Sequence, residues 1–315
     1  MNDSVSLSIA ATSKRVDIAC PVALSFFNNI ELPRKSQLNI AIGYRDSILG
    51  GTGPLTLVDQ KKYDFAFGNP AGLTRMAYLG CGFYKKRIAL RAIGVFPTWD
   101  RLVFAVGKDT GIRTIGEIKE RKYPLRVTTR RKGKLQTTLY VIEEVLQAYG
   151  FSLRDIEGWG GKIMEAASPS SADRVDHIRS GKADAVFDEG VKSWGPAALD
   201  SGMRFLPIEE RALRKLDRLG FPGAMLTRQH YPKMEADIKT VDFSGWTFFC
   251  HEGLSAEIAY DMAKAVDLCH TNIPVDHFEK KPMTMREFCR GGEAGPLNVP
   301  LHLGAKRYYR ESGYL

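Results

Sequence analysis

Residues 123–150 read YPLRVTTRRKGKLQTTLYVIEEVLQAYG. Leu125, Val127 and Thr129 alternate with Arg126, Thr128 and Arg130, the pattern of a strand running out to the end of a sheet. The polar run Thr128-Thr129-Arg130-Arg131-Lys132-Gly133-Lys134 carries the chain into a turn. Leu135, Leu139, Ile142, Val145, Leu146 and Tyr149 then recur at helical spacing, and Gly150 stands where a helix stops. The first N–H groups of such a helix have no partner within it, and its dipole favours an anion in front of it. Arg130, Arg131 and Lys132 strengthen that expectation. A solvated basic loop is the alternative.

The unit repeats on both sides of this stretch. Val5–Thr12, Leu38–Ile42 and Asp64–Gly68 read as strands, and a helical segment through Ile18, Val22, Phe26 and Phe27 follows the first. Arg87–Val95 and Arg101–Val106 give two more strands, joined by Phe96-Pro97-Thr98-Trp99-Asp100. A helix over Ala172–Ser180 leads to strand Ala185-Val186-Phe187, which delivers Asp188 and Glu189 into a turn. Trp246–Cys250 reads as a strand and Ser255–His270 as an amphipathic helix. Alternating strands and helices define an α/β chain. The length, 315 residues, suits two domains, yet no linker or composition break divides them. A chain crossing twice between two α/β lobes accounts for both facts. The expected division is 1–106 and 241–315 in the first lobe, with 107–240 in the second. Ligands in such sheets bind beyond the carboxyl ends of the strands.

A formal net charge of +9 and a pI near 9.2 suit anionic partners. The cations are dispersed among acidic residues, with no zinc-finger spacing or stacking-aromatic pattern, so small anions are favoured over nucleic acid. Gly50-Gly51-Thr52-Gly53 matches neither phosphate-binding glycine motif and reads as turn geometry. Cys20, Cys81, Cys250, Cys269 and Cys289 form no CxxC pair, and the expectation is buried reduced thiols. The six histidines show no HxH or HExxH spacing, so neither metal nor cofactor is expected. No apolar run approaches the ~20 residues of a membrane-spanning helix, and membrane insertion is not expected. Met1-Asn2-Asp3-Ser4 leads almost at once into strand-like sequence, so the expected compartment is the cytoplasm, or the periplasm if a leader was removed.

Three stretches carry a family resemblance. Lys108-Asp109-Thr110-Gly111-Ile112-Arg113-Thr114-Ile115 resembles a D-S-G-I-x-S-I-x-D-L motif, and Gly181–Phe187 resembles G-x-x-D-A-x-F. Pro300–Tyr314 is similar to P-L-H-P-G-A-x-R-Y-Y-x-E-x-G, with Leu303 in place of the proline. All three belong to the TAXI-type solute receptors of tripartite (TRAP) transporters. The resemblance implies a two-lobed periplasmic-binding-protein-like fold (type II) that captures a small, usually carboxylate-bearing, solute. It also implies TRAP membrane subunits as partners if the protein is exported. Ser13-Lys14-Arg15 replaces the family's glycine- and tyrosine-rich loop, and Arg130–Gly133 replaces its glycine-serine turn.

A carboxylate suits the planar fork of a guanidinium, which makes Arg130, Arg131 and, in the other lobe, Arg15 the first candidates, with Ser13 beside Arg15. Thr128, Thr129 and Gln136 are candidates for neutral hydrogen bonds. Tyr44, Ser47 and Asn69 lie on first-lobe strand exits, where turn formation is the alternative. Trp99 and Trp194 are candidates to sandwich an aromatic or alkyl group, against simple packing. Asp188 and Glu189 would repel an anion unless one reads an amine or hydroxyl, or pairs with Arg130 or Arg131 beforehand. The competing function is a cytosolic decarboxylase or lyase acting on a small carboxylic acid, aromatic ones included. Asp188, Glu189 and His251 would be its catalytic candidates.

Overall fold

The computed structural model describes residues 4–12, 14–44, 47–133, 136–279 and 281–315. Of the residues named above, Met1, Asn2, Asp3, Ser13, Lys134 and Leu135 lie outside them. The chain divides into two compact units, Met1–Trp99 with Ser244–Leu315, and Asp100–Phe243. It therefore crosses between them twice. The crossings fall at Trp99/Asp100 and Phe243/Ser244, so the strand over Arg101–Gly107 belongs to the second unit rather than the first.

The first unit begins β1 (Ser6–Thr12), α1 (Val16–Asn29), β2 (Gln37–Gly43), α2 (Gly53–Asp59), β3 (Phe65–Gly68), α3 (Ala71–Leu79) and β4 (Leu90–Phe96). The second unit runs β5 (Arg101–Gly107), α4 (Ile115–Glu120), β6 (Arg126–Arg130), α5 (Thr137–Ala148), α6 (Leu153–Gly158), β7 (Lys162–Ala166), α7 (Ala172–Arg179) and β8 (Ala185–Asp188). It continues through α8 (Val191–Asp200), β9 (Met203–Leu206), α9 (Glu210–Arg218), β10 (Gly223–Leu226) and β11 (Ile238–Asp242). The chain returns to the first unit as β12 (Trp246–His251), α10 (Ala256–Cys269), α11 (Met285–Arg290) and α12 (Leu303–Glu311).

In the first unit the strand order is β2-β1-β3-β12-β4. β1, β2 and β3 are parallel, while β12 enters antiparallel between β3 and β4. One face of the sheet is closed by α1, α10 and α12, where Ile18, Val22 and Phe26, Met262 and Val266, and Tyr309 meet Phe65, Phe67, Phe96 and Phe248. Phe67 and Phe248 stack at 5.0 Å and Phe96 meets Phe288 at 4.7 Å. Each such ring contributes on the order of 2 kcal/mol by leaving water.

In the second unit the order is β10-β11-β5-β8-β6-β7, with β9 also pairing β5. β6, β7 and β8 run parallel and β5 runs against them. Every residue of β5 is buried, and Phe104 lies flat against Phe187 of β8 at 4.4 Å. Burial of both faces also explains β6. The expected alternation holds for Arg126 alone, which faces solvent, while Val127, Thr128, Thr129 and Arg130 are all interior. Among the cysteines, none paired, Cys250, Cys269 and Cys289 are buried as expected, but Cys20 is exposed on α1. Among the described residues no helix is long and apolar enough to cross a membrane.

Candidate functional site

Parallel strands bring their carboxyl ends to one edge of a sheet. In the second unit this places Arg130 (end of β6), Ala166 (end of β7) and Asp188 (end of β8) together. β5 starts at the same edge, preceded by Asp100. Arg130 turns inward rather than into the turn that follows it. Its guanidinium pairs with Glu189, lies 3.4 Å from Asp188 Oδ1 and donates to the Ala167 carbonyl at 3.3 Å. From α7, Arg174 reaches the other oxygen of Asp188 at 2.5 Å and donates from Nε to Thr128 Oγ1 at 3.4 Å. Arg174 and Asp188 are fully buried.

Charges taken from water are tolerated only when paired and hydrogen-bonded. Asp188 meets that condition from three sides, since Oδ1 also accepts the Glu189 N–H at 2.8 Å. Burial works against the charge on Arg130, but the Glu189 and Asp188 carboxylates outweigh it and hold its pKa above the ordinary value. For Arg174 burial prevails over Asp188 and lowers the pKa, and both guanidiniums stay cationic. Asp100 accepts the Gly190 and Arg101 N–H groups, both at 2.7 Å, on Oδ1. Burial, then the charge and hydrogen bond of Glu189, push its carboxyl well above the usual range. Two cations, Arg130 and Arg174, thus face the carboxylates of Asp188 and Glu189, with Asp100 beside them.

The other expected residues of this unit divide into interior and rim. Thr128 and Thr129 are interior, Thr129 Oγ1 donating to the Phe187 carbonyl at 2.8 Å. Trp194 is fully buried edge-on to Phe205, its indole N–H donating to the Glu189 carbonyl at 2.9 Å. It packs, with no face left for a ligand. Arg131 and Lys132 are exposed on the rim, and the Arg131 N–H extends the ladder to the Ala166 carbonyl at 3.0 Å. Gln136 is the N-cap of α5 and makes no side-chain cap to its first turn. Thr137, the first helical residue, is buried with Oγ1 lacking a hydrogen bond.

The first unit has an edge of the same kind, where β1 ends at Thr12 and β3 at Gly68. Arg15, the N-cap of α1, lies over the Trp246 ring at 4.2 Å and donates to Thr12 Oγ1 at 3.0 Å. Asn69 is exposed just after β3. Tyr44 is exposed, and Ser47 builds a turn, donating its hydroxyl to the Tyr44 carbonyl at 2.6 Å and accepting the Leu49 N–H at 3.2 Å. Trp99 is interior, edge-on to Phe278 at 4.8 Å with its N–H on Glu293 at 3.2 Å. The partly exposed indole of this unit is Trp246.

The catalytic grouping of Asp188, Glu189 and His251 does not assemble within one unit. His251 ends β12 in the first unit, at the far end of that strand from Trp246, and its Nδ1 accepts the Gly253 N–H at 3.0 Å. Neighbouring Cys250 is a buried thiol pushed up by desolvation, unsuited to nucleophilic attack. Sequence reading missed Arg174, Asp100 and Trp246. Trp246 had a signal: it begins a strand antiparallel to its neighbours, which returns it to the edge where they end.

An α/β chain that crosses twice between two units, each with parallel strand ends on one edge, has the two-lobed periplasmic-binding-protein-like (type II) fold. The chain belongs to the NMT1-like family, whose model matches residues 19–313. It is similar in fold to XAC2383 from Xanthomonas citri bound to chloride ion, with a TM-score of 0.50, 9% identity and coverage of 99% of this chain and 98% of that one. PhnD1 from Prochlorococcus marinus in complex with methylphosphonate gives 0.46 at 11% identity, covering 98% and 99%. A TctC solute binding protein from Polaromonas gives 0.44 at 13%, covering 84% and 82%. No curated protein matches the chain.

Proposed function

We propose that this protein is a solute-binding protein of the TAXI type that captures a small organic anion, with TRAP membrane subunits as partners where it is exported. The observation that carries this reading is the start of α5, where Gln136 makes no side-chain cap and the buried Thr137 Oγ1 has no hydrogen bond. Arg130 is already balanced by Glu189 and Asp188, so the helix start is the group best suited to hold the carboxylate. Arg15 on Trp246 gives the first unit a cation with an aromatic surface beside it at its own strand-end edge. A thermal-shift screen of organic acids, followed by calorimetry on the best one, tests this. Thr137→Val should weaken that acid about tenfold, the order expected for one hydrogen bond to a charged group. Unchanged affinity in Thr137→Val would refute it.

A decarboxylase or lyase on the same scaffold is favoured by one feature, the buried Asp100 carboxyl beside Glu189, whose raised pKa suits a proton donor. Incubating the selected acid with the protein and following its mass separates the two. An Asp100→Asn-sensitive loss of carbon dioxide would make the protein an enzyme.

A further inference from the structure

β5 runs from Arg101, at the edge holding Arg130 and Asp188, to Gly107 at the opposite edge of the same sheet. At that opposite edge the second unit contains a hollow of about 250 Å3 between the turn after β5, the end of α8, the start of β9 and the loop before β11. Its apolar wall is Leu199, Met203, Phe205, Pro207, Met234 and Ile238. Lys108, Arg113, Arg204 and Lys233 bring cations to it, against Glu235 and Asp237. Two of these charges are engaged elsewhere: Lys233 pairs with Asp200 at 2.5 Å, and Asp237 accepts the Arg228 N–H at 2.7 Å.

Arg204 is different. Its side chain is 13% exposed, Nε is buried without a hydrogen bond, and Glu235 at 3.8 Å lies beyond hydrogen-bond reach. A mostly buried guanidinium with its Nε unsatisfied beside an apolar wall suits a planar acceptor. Glu235 only half fills that role, being half exposed and drawn to Lys108 Nζ at 3.0 Å. The space is ample for a ring, since a cavity of about 150 Å3 holds benzene.

We infer that this hollow is a second ligand site, taking a small monocarboxylate with an apolar body. The carboxylate would sit on the Arg204 fork beside Lys108, and the body would lie against Phe205, Met234 and Ile238. Glu235 then competes with the ligand for both cations. The inference does not depend on the α5 site, which lies at the other edge of the sheet. Benzoate titrated calorimetrically into the full chain is the test, with uncharged benzamide as control. Benzoate should bind and benzamide should not. Arg204→Gln should weaken benzoate at least tenfold, Glu235→Gln should strengthen it several-fold, and Thr137→Val should leave this binding unchanged. Lys108→Gln alters an exposed side chain, so it keeps the test valid if Arg204→Gln does not fold; it should weaken benzoate several-fold. Absence of benzoate binding, equal affinity in Lys108→Gln, or benzoate binding lost in Thr137→Val and retained in Arg204→Gln would each overturn the inference.

Discussion

Asp188 decides what the arginines around it can do. A buried carboxylate stripped of its partner is far costlier than the pair is worth, so Arg174→Met should destabilise the protein by roughly 3–5 kcal/mol in urea unfolding. Arg174→Met combined with Asp188→Leu should recover much of that loss, because no lone charge is left inside. Equal losses in the single and double variants would show that Arg174 acts through packing alone. Asp100 predicts a pH dependence. Its carboxyl is held above the ordinary 3.8, so the folded chain keeps a proton that the unfolded chain releases. The resulting stability is complete below 3.8 and is lost as pH rises through the raised folded value. Unfolding free energy should therefore fall as pH climbs, by at most about 1.4 kcal/mol per unit. Asp100→Asn should flatten that fall, and a parallel pH profile in the variant would contradict this assignment. The pairing of Arg130 with Asp188 and Glu189 was one of the alternatives the sequence offered, but the parts of Arg174 and Asp100 were not legible along the chain. Arg130 and Asp188 stand 58 positions apart, and in sequence Arg174 is one more charge on a polar helix.

At the scale of elements, regular strands and helices declared themselves where periodicity was clean, as in α1, α10 and the strand–turn–helix of β6 and α5. β11 did not, because Ile238-Lys239-Thr240-Val241-Asp242 is short and lies in a charged, proline-bearing region. The turn between β8 and α8 shows how an element boundary can set site geometry. Gly190 has a φ of 66° as the N-cap of α8, and a Cβ there would meet Pro169 at 2.4 Å. Its N–H also holds Asp100. Gly190→Ala should cost at least 2 kcal/mol, roughly a strain penalty plus the displaced contact. Gly181 has a similar φ of 68° with open space around the missing Cβ, so Gly181→Ala should cost only about 1 kcal/mol. Thermal unfolding of the two variants compares them directly, and equal midpoints would remove Gly190 from the site's construction.

At the scale of the whole molecule, the double crossing was legible because no composition break marked a linker between two α/β units. The crossing points were not, since Phe96–Asp100 reads as an ordinary connection between two buried strands. The two units differ in how they are assembled from the chain. Asp100–Phe243 is continuous, whereas β12 lies between β3 and β4 and comes from the far end of the sequence. A fragment spanning 100–243 should unfold cooperatively by circular dichroism, while 1–99 alone should not. A cooperative transition in 1–99 would mean that β12 is dispensable to its sheet.

Placing β12 in the middle of the first sheet also fixes the timetable of biosynthesis. When β4 leaves the ribosome, its neighbour lies some 150 codons downstream, a wait on the order of ten seconds at roughly 5–20 residues per second. Through that interval Phe65, Phe67 and Phe96 have no β12 to cover them, and the open edges of β3 and β4 are what a chaperone would hold. The second unit can close meanwhile. A premature stop codon between those of Phe243 and Trp246 would then leave a finished unit tethered to an adhesive half-sheet. Its phenotype should be inclusion bodies rather than a weakened but folded protein.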